Sequence, residues 1–353
     1  MSPSVPFLLH PAAKDYLWGG TRLNDDFSKQ IASDVVAETW ECSSHPDGVS
    51  IAASGEWIGM PLDGILRAHP EYIGEHARGA SELPVLVKLI DARRDLSVQV
   101  HPSDEYAREH ENGQNGKTEM WYVMDAERDS RIAYGLHHTI GKDLFRKAIA
   151  DGSVEKYLQF VPVRKNDLFF IPPGTIHAIG AGCLIAEIQQ SSNLTYRLYD
   201  YNRFDRNGGK RPLHVEKGLA VADLEAMPEP RQPMRLLRYS GGTASELLCR
   251  CRYFQVERVL VNTEQRREMA SFRASRESFE IILFLNGCGT MFCRDSMLQF
   301  FKGDCVFVPA GTDEIRLHAR TDYRAGCMAC VCGYDSRRRA EKAAVQEKQN
   351  LIY

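Results

Sequence analysis

Gln99 and His101 stand two residues apart in LSVQVHPSD, Glu119 follows in GKTEMWYVM, and His177 comes after the turn sequence PPGT. Side chains in a strand alternate between faces, so Gln99 and His101 point the same way. Two polar groups aimed together at an interior need a partner there, because burying them unpaired is costly. Glu119, opening the next strand-like run, and His177 supply it. Two imidazoles and a carboxylate, with an amide oxygen and water to complete the shell, suit Zn²⁺ or another first-row divalent ion. Taken singly, His177 reads as a satisfied core histidine and Glu119 as a solvated strand end. Taken together they read as a metal site.

The elements that must position these residues are mostly strands. LPVLVKLID, LSVQVH, EMWYVMDA, SRIAYGL, DLFFIPPG and CLIAEIQQ are short, rich in β-branched and aromatic residues, and bounded by turn formers. Helical sequence is interspersed in MPLDGILRAHPEYIGEHA, DEYAREHE, TIGKDLFRKAIADGSVEKYL and VEKGLAVADLEAM. Short strands with few crossover helices predict antiparallel barrels or sandwiches, not a parallel sheet. Prolines gather in EAMPEPRQPMR, which reads as a linker.

Beyond that linker the pattern returns. RKNDLFFIPPGTIHAI reappears as FKGDCVFVPAGTDEIRL, and TEMWYVMDA as FEIILFLNG. This self-similarity predicts two copies of one β-barrel unit. The second copy carries Glu314 where the first carries His177, and no Gln/His pair precedes its Glu280. The expected boundaries are residues 1–228 for the equipped domain with its helical segments, 229–236 for the linker, 237–335 for a degenerate second barrel and 336–353 for a C-terminal tail.

Lysine plus arginine (44) nearly balances aspartate plus glutamate (47), which gives no footprint for nucleic acid or an anionic membrane. The first twenty residues lack a basic region followed by an apolar core, and no apolar run reaches spanning length, so the expected address is cytoplasmic. Ten cysteines in such a setting read as free thiols, not a disulfide framework. Cys327-x-x-Cys330 with Cys249-x-Cys251 reads as small side chains on strands, not as a zinc knuckle, because a second Cys-x-x-Cys is missing. Oligomeric state leaves no mark in the sequence.

PAAKDYLWGGTRL, AETWECSSHPDG, VLVKLIDARRDLSVQVHPSDEYA, GKTEMWYVM, PPGTIHAIGAGCLIAEIQQSSNLTYRLYDYNR and RPLHVEKGLA together resemble the type I mannose-6-phosphate isomerases, in their short bacterial form. The match is nearly continuous from Pro11 to about Ala220. The resemblance implies a mainly β fold of two cupin-type jelly-roll barrels, one Zn²⁺ per chain, and interconversion of mannose 6-phosphate and fructose 6-phosphate. It places the zinc ligands on Gln99, His101, Glu119 and His177, agreeing with the reading from spacing. It places catalytic groups on Arg197, Lys117 and Glu187, and phosphate contacts on Lys88 and Ser97. Ser103, where an acidic residue is usual, and Thr118, often proline, depart from the family pattern.

These assignments fit the chemistry. An aldose–ketose isomerase needs a base for a carbon-bound proton and positive charge where an enediolate forms. Glu187, Lys117 and a hydroxide on the metal are all able to act as the base. A lysine and a hydroxyl suit phosphate oxygens. Two alternatives share the fold: a non-catalytic sugar-phosphate-binding cupin, and a different metal-dependent cupin enzyme such as an iron dioxygenase.

Overall fold

Runs of Val, Ile, Leu, Phe and Tyr broken by Gly, Pro and Asn fold as antiparallel strands throughout. The computed structural model describes residues 4–80, 82–204, 208–232, 236–240, 243–261, 269–320 and 327–333, the last by backbone alone. No helix among them is long and apolar enough to cross a membrane. The chain divides into two compact units: Ala13–Trp40 with Leu86–Pro233, and Met1–Ala12 with Glu41–Val85 and Met234–Tyr353.

The first unit contains two sheets. One is six-stranded and runs Leu168–Ile171, Glu119–Ala126, Cys183–Gln190, Val85–Ala92, Glu38–Cys42, Ala12–Lys14. The other is five-stranded and runs Tyr196–Tyr199, Val98–Val100, His177–Ile179, Arg131–Leu136, Leu158–Pro162. Val98 and Val100 are fully buried and pack with Ala178, Leu198, Phe145 and Leu219, so the alternate residue Gln99 is turned to the opposite face. Trp121, Ile185, Tyr134 and Ile179 form a separate apolar cluster that includes both sheets' residues.

Helices Lys142–Asp151 and Val215–Val221 contribute to the cluster around Val98. In the first, Phe145, Ala148 and Ile149 fall on one stripe and are buried, and Gly152 at φ 78° ends it in the left-handed conformation. In the second, a Cβ on Gly218 would lie 2.4 Å from Leu198 Cδ2, so glycine here lets helix and strand approach closely without displacing that side chain.

The excursion between His101 and Glu119 is stitched down by a short polar network. Helix Asp104–His110 begins at Ser103, whose Oγ accepts from the Tyr106 amide at 3.3 Å. Asp104 Oδ1 accepts from Gly116 N and Gln190 Nε2, both at 3.0 Å, and Gln190 Oε1 accepts from Thr118 N at 2.9 Å. The uncommon Ser103 therefore acts as a helix cap. Ser103→Ala is expected to cost about 1 kcal/mol in urea unfolding, whereas Ser103→Asp keeps the cap. Identical midpoints for Ser103→Ala and the unsubstituted protein would rule this out.

The second unit holds an eight-stranded and a four-stranded sheet. The duplication read from sequence extends to register. Glu119 pairs with Ile171 and Tyr122 with Leu168, while Glu280 pairs with Val308 and Leu283 with Cys305. Even the turns match: Arg164 N donates to Asp167 at 2.8 Å and Phe301 N to Asp304 at 2.7 Å, with Asn166 and Gly303 both at positive φ. The interior of this copy is filled instead. Phe284 stacks on Phe300 with centroids 3.8 Å apart, among Val259, Met291, Val306 and Leu317. Glu314, the counterpart of His177, bonds Ser271 at the surface.

The structural division departs from the boundaries expected at 1–228 and 237–335. Phe7–His10 lies between Cys305–Val308 and Ile51–Ala52 in the eight-stranded sheet, which carries residues 1–12 and 41–85 into the later unit. Strand pairing between segments so far apart in sequence leaves no local signal. Cys42, Cys183, Cys249, Cys251, Cys288, Cys293 and Cys305 are free thiols. The side chains of Cys327, Cys330 and Cys332, most of the 229–236 linker's end and the 336–353 tail lie outside the described residues.

Candidate active site

The five-stranded sheet sets three of the sequence-selected residues side by side. Gln99 pairs with His177 on one neighbouring strand and with Arg197 on the other. His101 follows one residue beyond the Val98–Val100 strand. Glu119 opens its strand in the six-stranded sheet, and its neighbour Lys117 ends the stitched excursion. The ligand atoms of His101, Glu119 and His177 lie within 4.8 Å of one another, the one such trio among the described residues.

Each imidazole is fixed by its other nitrogen. His101 Nδ1 donates to Leu194 O at 2.7 Å and His177 Nδ1 to Thr175 O at 2.9 Å. That leaves both Nε2 lone pairs facing Glu119, at 3.3 Å from Oε1 for His101 and 3.7 Å from Oε2 for His177. Burial pushes the His101 pKa down to about 3, with Lys117 adding to the effect, and burial lowers His177 as well. Both rings are therefore neutral and able to ligate. Gln99 closes the set, its amide 3.3 Å from His177 Nε2.

Glu119 is fully buried, and neither carboxylate oxygen has a hydrogen-bond donor aligned on it. Burial alone would raise its pKa, but the contacting Lys117 ammonium, followed by His101, holds it well below the ordinary range. A buried, ionised carboxylate touched by one ammonium and set beside two imidazole lone pairs is a donor set that fits a divalent cation.

A second buried web adjoins it. Lys88, 4% exposed, is enclosed between Glu187 at 3.2 Å and Glu38 at 3.6 Å. Glu187 also accepts from Trp121 Nε1 at 2.9 Å, and Glu38 from Trp40 Nε1 at 2.7 Å. Burial raises the Glu187 pKa, and the charge of Glu119 raises it further against the pull of Lys88. These ion pairs set three carboxylates, Glu38, Glu119 and Glu187, against two ammonium groups.

One cavity of about 330 Å³ is lined by Gln99, Lys117, Glu187, Lys88, Ser97 and Arg197. Arg197 donates through Nε to Ser97 Oγ at 3.3 Å and through Nη1 to Pro212 O at 3.0 Å. All the residues singled out from sequence are thus brought together, either on the cavity or in the trio beside it.

The family model for the phosphomannose isomerase type I catalytic domain matches residues 7–133. The chain is 36% identical over 312 residues to the mannose-6-phosphate isomerase ManA of Bacillus subtilis (strain 168), covering 88% of this chain and 95% of that one. The chain belongs to the type I mannose-6-phosphate isomerase family. The Streptococcus mutans mannose-6-phosphate isomerase is 44% identical over 216 residues, 61% of this chain and 67% of its own. The crystal structure of the B. subtilis mannose 6-phosphate isomerase superposes with a TM-score of 0.82 at 33% identity, covering 93% of this chain and 99% of that one.

Within this isomerase fold, sequence reasoning missed Glu38, Trp40 and Trp121, which hold Lys88 and Glu187 in place. Glu38 and Trp40 alternate in ETWEC, a spacing that puts them on one strand face, but nothing local pairs them with Lys88. Arg211 also lines the cavity, and Asp200 behind it is buried. Both lie in segments that carried the resemblance, without a role attached.

Proposed function

We propose that the chain interconverts mannose 6-phosphate and fructose 6-phosphate through an enediolate, with one Zn²⁺ held by Gln99, His101, Glu119 and His177. The observation that carries this reading is the single cavity in which Gln99, Lys117, Glu187 and Arg197 meet, beside the three ligand side chains. Bound there, Zn²⁺ would supply a Lewis acid for the sugar's reacting oxygens.

Glu187 is the base. Burial and the charge of Glu119 raise its pKa, which makes it a stronger proton acceptor than an ordinary carboxylate. It takes the proton from C2, the C1=C2 bond forms, and negative charge gathers on O1. Returning the proton to C1 while O2 loses its own to O1 completes the ketose. Lys88 and Trp121 fix the two carboxylate oxygens of Glu187. Lys117 and Arg197 supply positive charge to the enediolate. Lys88 thus serves the base in this reading, because a phosphate placed on it would also face Glu38 and Glu187. Ser97 remains at the phosphate side, next to Arg197.

Fructose 6-phosphate formation from mannose 6-phosphate, followed with purified protein of defined zinc content, tests the reading. Tight binding of the sugar phosphate with no turnover under any divalent metal would instead identify a binding protein.

A further inference from the structure

Arg197 lies on Tyr196–Tyr199, the outermost strand of the five-stranded sheet. An edge strand presents a row of N–H and C=O groups with no strand to receive them. At Arg197 one residue takes both. Arg197 N donates to His214 Nδ1 at 3.1 Å, and His214 N donates back to Arg197 O at 2.8 Å. An imidazole and its own amide close the ring that a further strand would otherwise close.

The same residue starts a helix. His214 O accepts from Gly218 N at 2.8 Å as helix Val215–Val221 begins, and Gly218 lets that helix approach Leu198, the neighbour of Arg197. Two residues before His214, Pro212 O accepts from Arg197 Nη1 at 3.0 Å. The chain turning at His214 therefore holds Arg197 at three points, two on the backbone and one on the guanidinium.

A backbone N–H can only donate, so His214 Nδ1 carries a lone pair and the ring proton sits on Nε2. Arg197 and Tyr196 face the ring from the strand, Lys217 from the helix and Glu111 from the excursion after His101. Glu111 Oε1 in turn accepts from Tyr196 Oη at 2.7 Å and from Lys217 Nζ at 2.6 Å. Burial lowers the His214 pKa, and Arg197 and Lys217 lower it further against the pull of Glu111. The accepting, neutral form is the one present at neutral pH.

We propose that His214 is the positioning residue for Arg197, its neutral imidazole latching the edge strand so that the guanidinium stays aimed into the cavity. The inference rests on the isomerase reading, which gives Arg197 its part in turnover. His214 itself does not line the cavity. Protonation of Nδ1 would set N–H against N–H and open the latch.

The test uses the zinc-loaded full chain. His214→Ala should lower kcat by about 10- to 100-fold, the cost of displacing a catalytic group by about an ångström. KM for mannose 6-phosphate and zinc content should change little. In His214→Asn the amide oxygen stands near the Nδ1 position and accepts the same N–H, so it should recover most of the loss. His214→Gln places its amide one carbon too far and should recover little. On acidification kcat of the unsubstituted protein should fall as His214 protonates, and that of His214→Asn should fall less steeply. Two readouts do not depend on activity. Nitrogen-15 spectra should show His214 Nδ1 unprotonated at neutral pH. The Arg197 Nε–H signal, assigned by its loss in Arg197→Lys, should resist exchange in the unsubstituted protein and in His214→Asn but not in His214→Ala.

Unchanged kcat in His214→Ala, equal recovery by Asn and Gln, or a proton on Nδ1 overturns the proposal, as does a loss of kcat that loss of zinc accounts for. Absent turnover in the unsubstituted protein strikes the isomerase reading instead. In that case an Arg197 Nε–H signal kept in His214→Asn and lost in His214→Ala still upholds the latch.

Discussion

His177→Ala is expected to strip the protein of bound divalent metal and lower turnover by about 10³-fold. The ring is fully buried, locked by Thr175 O and set edge-on to Trp121 with centroids 5.3 Å apart. Alanine removes that donor and leaves His101 as the one remaining imidazole of the trio beside Glu119. A Lewis acid at a developing oxyanion is worth several kcal/mol, and each 1.36 kcal/mol is a factor of ten in rate. His101→Ala should behave alike, since its ring is held in the same manner by Leu194 O. Gln99→Ala, removing a neutral and weaker donor, should lose less metal. Elemental analysis beside turnover on each variant checks the set. Two metal equivalents per chain, or full activity after exhaustive chelation, would refute it.

Arg197→Ala is expected to cut turnover by about 10²- to 10³-fold while weakening mannose 6-phosphate by at most about fivefold. The ground-state sugar carries no anion at C1 or C2, so the guanidinium matters most when the enediolate forms. Two of its nitrogens are committed to Ser97 and Pro212, which aims the remainder of the fork instead of leaving it free to swing. Arg197→Lys keeps the charge without the planar fork and should recover only part of the rate. Turnover measured alongside calorimetric binding separates the possibilities. Binding lost in step with rate would make Arg197 a ground-state anchor.

The metal trio was legible because each member sits at a position that local rules already mark. Gln99 and His101 share a strand face, Glu119 begins a strand, and His177 follows a Pro-Gly turn. The duplicate copy sharpened that reading by keeping the turn and the register while losing the ligands. The Glu38–Lys88–Glu187 web was not legible, because its three members come from three strands whose order in the sheet no local pattern states. Asp200 and Arg211 escaped for a related reason. In YDYNR and KRPLH they look like solvated loop charges, and only the folded chain brings the carboxylate under the guanidinium. The helical stretches were placed correctly but drawn too long: sequence from 139 to 158 yields an α-helix only over Lys142–Asp151, because Gly152 ends it, with a single 3-10 turn following at Val154–Lys156.

The pairing of Phe7 with Phe307 has a consequence in time. Every strand of the unit that carries the trio has been synthesised once Tyr199 is made, so its sheets can close on the ribosome. Phe7–His10 must wait for Cys305–Val308, about one hundred residues later. At ordinary elongation rates that delay is roughly 5 to 20 seconds. Throughout it Phe7 and Leu9, which end 1% and 5% exposed, face water beside an unpaired strand edge. The earliest hydrophobic segment of the chain is therefore among the last to be sheltered. Nascent chains halted before residue 305 should expose it to holding chaperones and proteases even when the trio's own sheets have already formed.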